Sequence, residues 1–65
     1  MNVLINQESR ELPEGATVAD ALSVSEPPAV FAVAVNLQFV PRGGYGQHVL
    51  LEGDRIEIIA PITGG

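Results

Sequence analysis

Met1, Val3 and Ile5 alternate with Asn2, Leu4 and Asn6 at the start of the chain. A period of two with one apolar face predicts a β-strand over residues 1–6. A polar turn from Asn6 to Ser9 leads into Arg10-Glu11-Leu12, with Leu12 placed to point inward and Pro13 to end the ladder, so the first two strands read as a hairpin. Thr17 occupies an N-cap position with Asp20 three residues on as its acidic capping-box partner, and Val18, Ala21 and Leu22 share one helical face. Pro27-Pro28 forbids continuation, which limits the helix to about two turns.

Residues 29–35 form the most apolar segment and read as a buried central strand, with Phe31, Val33 and Val35 toward the core and Ala32 and Ala34 on the other face. Phe39 and Val40 predict a short following strand, and Gly43-Gly44-Tyr45-Gly46 an exposed loop. Glu52-Gly53-Asp54 is a turn, and residues 55–60 alternate again as the expected central strand. The order ββαβ(β)β lets the first strand lie parallel beside the last while the helix crosses one face. The predicted fold is therefore α+β: a ubiquitin-like β-grasp with a mixed sheet of four to five strands, one short helix on one face and a flexible C-terminal tail. Residues 1–60 read as one domain and 61–65 as an extended diglycine tail.

Composition narrows the chemistry. The chain has 65 residues and 46% apolar content, enough for one marginal core. Eight Asp and Glu against three Arg give a formal charge of −5, which leaves no basic stripe for nucleic acid. Cysteine and lysine are absent and His48 is the lone histidine. A disulfide framework, a thiolate zinc site, a cysteine nucleophile and Schiff-base chemistry are thereby excluded, and no bound cofactor or metal is expected. No apolar run reaches the ~18 residues of a membrane span, and the N-terminus lacks signal-peptide character. A cytoplasmic protein with no membrane partner is the expectation.

The remaining chemistry lies in Pro61-Ile62-Thr63-Gly64-Gly65. Five residues reach at most ~17 Å. Gly64 and Gly65 have no Cβ, so they suit a channel too narrow for other residues and would carry a carboxylate to a reagent inside a partner. A carboxylate becomes an electrophile once it is joined to a good leaving group, and a mixed anhydride with AMP supplies one. At about 7% glycine usage, two consecutive terminal glycines arise by chance in only ~0.5% of chains, which favours a substrate tail over a frayed end.

Thr17-Val18-Ala19-Asp20-Ala21-Leu22, Val33-Ala34-Val35-Asn36, Val40-Pro41-Arg42, Leu51-Glu52-Gly53-Asp54-Arg55-Ile56-Glu57-Ile58 and Gly64-Gly65 occur in order over essentially the whole chain. This set resembles the thiamine-biosynthesis sulfur carrier (ThiS) family. The resemblance implies a sulfur-carrying cosubstrate rather than an enzyme. In that scheme a ubiquitin-activating-like adenylating enzyme activates the Gly65 carboxylate with ATP. Sulfur from a cysteine-derived donor, such as a cysteine desulfurase or sulfurtransferase, replaces AMP. The Gly65 thiocarboxylate then serves thiazole synthase. Two readings stand beside it: the small subunit of molybdopterin synthase, and a ubiquitin-like modifier conjugated through Gly65. The family often has Asn-Gly where this chain has Asn6-Gln7 and Asn36-Leu37, so longer or differently typed turns are expected there.

Other candidates receive structural readings: Tyr45 closes a loop over the core edge, His48 is solvated or capping, and Glu52, Asp54 and Glu57 fit turn and outward strand positions. Strand alternation places Leu4, Ala32, Ala34 and Ile59 opposite the helix. Together they are expected to form an apolar partner-docking surface beside the tail.

Overall fold

A computed structural model describes residues 1–60. The hairpin β1 (Asn2–Ile5) and β2 (Glu8–Glu11) precedes helix α1 (Val18–Ser25); β3 (Ala32–Val35), β4 (Gln38–Val40) and β5 (Arg55–Ile59) follow. One five-stranded sheet runs β2-β1-β5-β3-β4. β1 pairs parallel with β5, matching Leu4 to Arg55 and Ile5 to Ile56, while the other neighbours are antiparallel. The β-grasp order expected from the pattern is present, with β5 in the middle of the sheet.

Both hairpins close more tightly than expected. The chain reverses through two residues each time, Asn6-Gln7 at φ 50° and 70° and Asn36-Leu37 at φ 51° and 70°. Positive φ at both central positions is the type I′ pattern, whose twist matches that of the flanking strands. Missing glycine has therefore not lengthened the turns. Asparagine tolerates the left-handed region, whereas Gln7 and Leu37 occupy it under strain. The turn before β5 does use glycine: Gly53 has φ 83°, and its N–H donates to the Asn2 carbonyl at 2.7 Å.

The capping box at α1 forms as expected. The Thr17 N–H donates to Asp20 Oδ2 at 2.8 Å, and the Asp20 N–H to Thr17 Oγ1 at 3.4 Å. Two further first-turn amides donate outside the helix, Val18 to the His48 carbonyl and Ala19 to the Tyr45 carbonyl, each at 3.0 Å. His48 thus caps through its backbone, and the glycine-rich segment is docked against the helix start rather than left free. Glu26 ends the helix at φ 50°, its N–H returning to the Leu22 carbonyl.

Val3 and Ile5 of β1, Val33 and Val35 of β3 and Ile56 of β5 pack against Val18, Ala21 and Leu22 of the helix. Leu12, Ala16, Val40 and Leu50 complete the buried set, and none of the described buried residues is polar or charged. One expectation is corrected, and one core residue was not anticipated. Residues 29–31 precede β3, so Phe31 is a half-buried rim residue, stacked on Tyr45 with ring centroids 6.1 Å apart. Leu50, in a segment without strand periodicity, is a main core side chain at 1% exposure. The Leu50 N–H donates to the Ala16 carbonyl, and Thr17 bridges Val49, which turns Leu50 inward.

A domain this small has a core worth only about 3–5 kcal/mol, so a single large residue decides its stability. Leu50→Ala is expected to cost about 2–5 kcal/mol in urea unfolding. Leu51→Ala, at a side chain 68% exposed, should change stability by less than about 0.5 kcal/mol. Leu37→Gly should raise stability by about 1 kcal/mol in the same measurement, because it relieves left-handed strain and loses little burial from a residue 86% exposed.

Candidate functional site

Gly64 and Gly65, with the rest of 61–65, lie outside the described residues. The structure places the base from which they continue. Ile59 ends β5 at the middle of the sheet, paired with Ala32, and Ala60 follows it.

All four residues expected on the outer face are there. The registers Leu4–Arg55, Ala34–Glu57 and Ala32–Ile59 set them on the side away from α1, and Ile59 is 54% exposed. The patch is not continuous across the sheet, however. Arg55 and Glu57 occupy the same face of β5 and separate Leu4 from Ala32, Ala34 and Ile59. The apolar area extends the other way instead, because Phe39 pairs with Ala34 and stands 70% exposed beside it. Phe39 is the residue of this face that the sequence reading missed. Its signal was available in the one-step alternation with Val40, which is buried.

The acidic candidates separate by role. Glu52 accepts the Asn2 N–H at 2.9 Å, and Asp54 accepts the Leu51 N–H at 2.8 Å and Asn36 Nδ2 at 3.0 Å. These carboxylates hold the turn into β5, so they are structural groups rather than a free acidic patch. Glu57 remains on the outer face. Tyr45 is half-buried against the core edge, as expected. Among the described residues no group of three or more His, Cys, Asp or Glu could hold a metal ion, and no helix is long and apolar enough to cross a membrane.

Two side chains with no role in the sequence reading act on β5. Asn6 Oδ1 accepts the Ile58 N–H at 2.8 Å and its Nδ2 donates to the Ile58 carbonyl at 3.3 Å. Asn36 Oδ1 accepts the Arg55 N–H at 3.0 Å at the other end of the strand. Each first turn residue thus uses its amide to extend the pairing of the central strand.

Comparison with known proteins agrees with this architecture. The crystal structure of the thiamine biosynthesis protein ThiS from Geobacter metallireducens superposes with a TM-score of 0.83 over the whole of both chains at 22% identity, which shows a shared fold. The sulfur carrier protein ThiS of Escherichia coli K12 is 35% identical over 66 aligned positions, covering all of both chains. A thiazole synthase of Paramagnetospirillum magneticum is 36% identical over 66 positions; they take in all of this chain and 20% of that protein. The ThiS family model matches residues 3–65, a span that includes β1 from Val3 onward, every later strand, the helix and the diglycine. On sequence along its full length and on the order of its sheet, the chain belongs to the ThiS family of sulfur carriers.

Proposed function

We propose that this sulfur carrier of thiazole formation works through the carboxylate of Gly65. A carboxylate oxygen attacks the α-phosphorus of ATP on a ubiquitin-activating-like adenylating enzyme, and pyrophosphate leaves. A persulfide sulfur derived from cysteine, delivered by a desulfurase or sulfurtransferase, then attacks the acyl carbon and displaces AMP, and a thiol cleaves the resulting acyl disulfide, releasing the thiocarboxylate and leaving the donor sulfur in a disulfide with that thiol. The product is a thioglycine at Gly65 whose sulfur passes to thiazole synthase. The carrier contributes no catalytic group and holds no cofactor; ATP is bound by its partner. Gly64 threads the partner's channel, where a Cβ would narrow both the space and the allowed φ.

One observation carries this reading: family membership extends to residue 65, so the diglycine lies inside the matched span. The partner assignment is supported by the P. magneticum thiazole synthase, one fifth of which resembles this chain. A carrier-like segment and a thiazole synthase there share one polypeptide. For docking we assign the outer sheet face, with Ala32, Ala34 and Ile59 joined by Phe39, and Leu4 beyond the Arg55–Glu57 pair. Exposed apolar groups on rigid strands at the base of the tail suit a contact that must also deliver the tail.

Incubation with the cognate adenylating enzyme, ATP and a sulfur source should raise the intact mass by the exchange of one oxygen for one sulfur, localised to Gly65 by fragmentation. Conjugates on target lysines with no thiolated carrier would instead establish a protein modifier. Ile59→Asp places a charge on the docking face at the end of β5 and should weaken binding to the adenylating enzyme or thiazole synthase by about 1–2 kcal/mol in titration calorimetry. Its cost in folding should stay near 1 kcal/mol or below, because the site lies outside the core. Parent-like affinity for both partners would move docking to another face.

A further inference from the structure

In the parallel ladder the Leu4 N–H donates to the Asp54 carbonyl and the Asn6 N–H to the Ile56 carbonyl, each at 2.9 Å. There β1 ends, because the Asn6-Gln7 turn carries the chain back into β2. Ile58 lies two residues further along β5 with its N–H and carbonyl on the same side as those of Ile56. Without a partner they would pass to water at the last full turn of the pleat before the tail. The Asn6 side chain fills this position, accepting the Ile58 N–H at 2.8 Å and donating to its carbonyl at 3.3 Å. A primary amide has the same donor and acceptor as a peptide group, so it continues the ladder by one rung where the backbone has turned away.

We propose that Asn6 is a positioning residue, holding the end of β5, the base from which the chain continues to Gly65, in one conformation. The inference rests on the tail chemistry proposed above. Asn6 also lines, with Ile58 and Ala60, a groove that Glu26, Pro27 and Pro28 at the helix exit line as well. A carrier docked by its sheet face presents its carboxylate most effectively when the root of the tail is already ordered. Each backbone residue left to be ordered in the complex adds an entropic cost to the reactive geometry, and that cost falls on turnover more than on docking. Asn36 is the matched control. It has nearly the same φ, an equivalent place in its hairpin and the same acceptor bond to β5, but at Arg55, the end remote from the tail, and its Nδ2 donates to Asp54 rather than to a β5 carbonyl.

The test compares the parent with Asn6→Gly, Asn6→Asp and Asn36→Gly, using the cognate adenylating enzyme and ATP with pyrophosphate release as the readout. Amide exchange at Ile58 is followed by NMR. Glycine preserves the positive φ of the turn, so Asn6→Gly should fold. Its Ile58 amide should exchange at least about tenfold faster, and kcat should fall about tenfold with the carrier's KM nearly unchanged. Asn6→Asp keeps the acceptor for the Ile58 N–H and should recover part of both values. Asn36→Gly should lose comparable stability and retain parent kcat. Parent-like kcat in a folded Asn6 variant, or an equal loss of kcat in Asn36→Gly, overturns the inference while leaving the tail chemistry intact. A parent chain that releases no pyrophosphate with an active enzyme overturns the tail chemistry, and the inference falls with it.

Discussion

The pairing of β1 with β5 is the constraint on which the rest of the domain depends. The two strands lie about fifty residues apart and run parallel, so the chain must cross the sheet and return before the pair can close. Helix α1 is the crossing element, and its apolar stripe of Val18, Ala21 and Leu22 covers the surface that the crossing leaves. Without that cover Val3, Ile5 and Ile56 would be open to water, and fully burying each contributes about 1.5–3 kcal/mol. Helix, core and central strand therefore stand or fall together.

The last strand of the sheet lies in its middle, between β1 and β3. The tail continues from the best-supported strand rather than from an edge, where strands are paired on one side only. Both sides of β5 are engaged nearly to its end, by β3 through Ile59 and by the Asn6 amide at Ile58. The outer face at this end is apolar, with Ile59, Ala32, Ala34 and Phe39, while edge strand β2 is exposed and carries Glu8, Arg10 and Glu11. Charge on the open edge opposes unwanted strand addition there.

The elements of this fold were legible because each rests on a local rule. Alternation set Val3 and Ile5 against Leu4, Thr17 and Asp20 marked the helix start, and Pro27-Pro28 its limit. The diglycine and the ordered motifs point to the ThiS family from the sequence alone. Leu50 was not legible, since its neighbours Val49 and Leu51 are also apolar and no period separates the inward residue from the outward ones. Phe31 was misplaced for the opposite reason: the strand pattern runs back to residue 29, but the chain is still crossing from the helix exit there.

What the sequence determined by itself was the identity of the elements, their order and the chemistry available to a chain without cysteine, lysine or a second histidine. These follow from side-chain type and spacing along the backbone. What only the tertiary structure decided was which groups meet across the sheet: Arg55 and Glu57 dividing the outer face, Phe39 extending it beside Ala34, and Asn6 and Asn36 reaching the two ends of β5. Those meetings depend on register between strands up to fifty residues apart. Register is set when the helix and both two-residue turns close around one core, a condition that no local stretch of the chain contains.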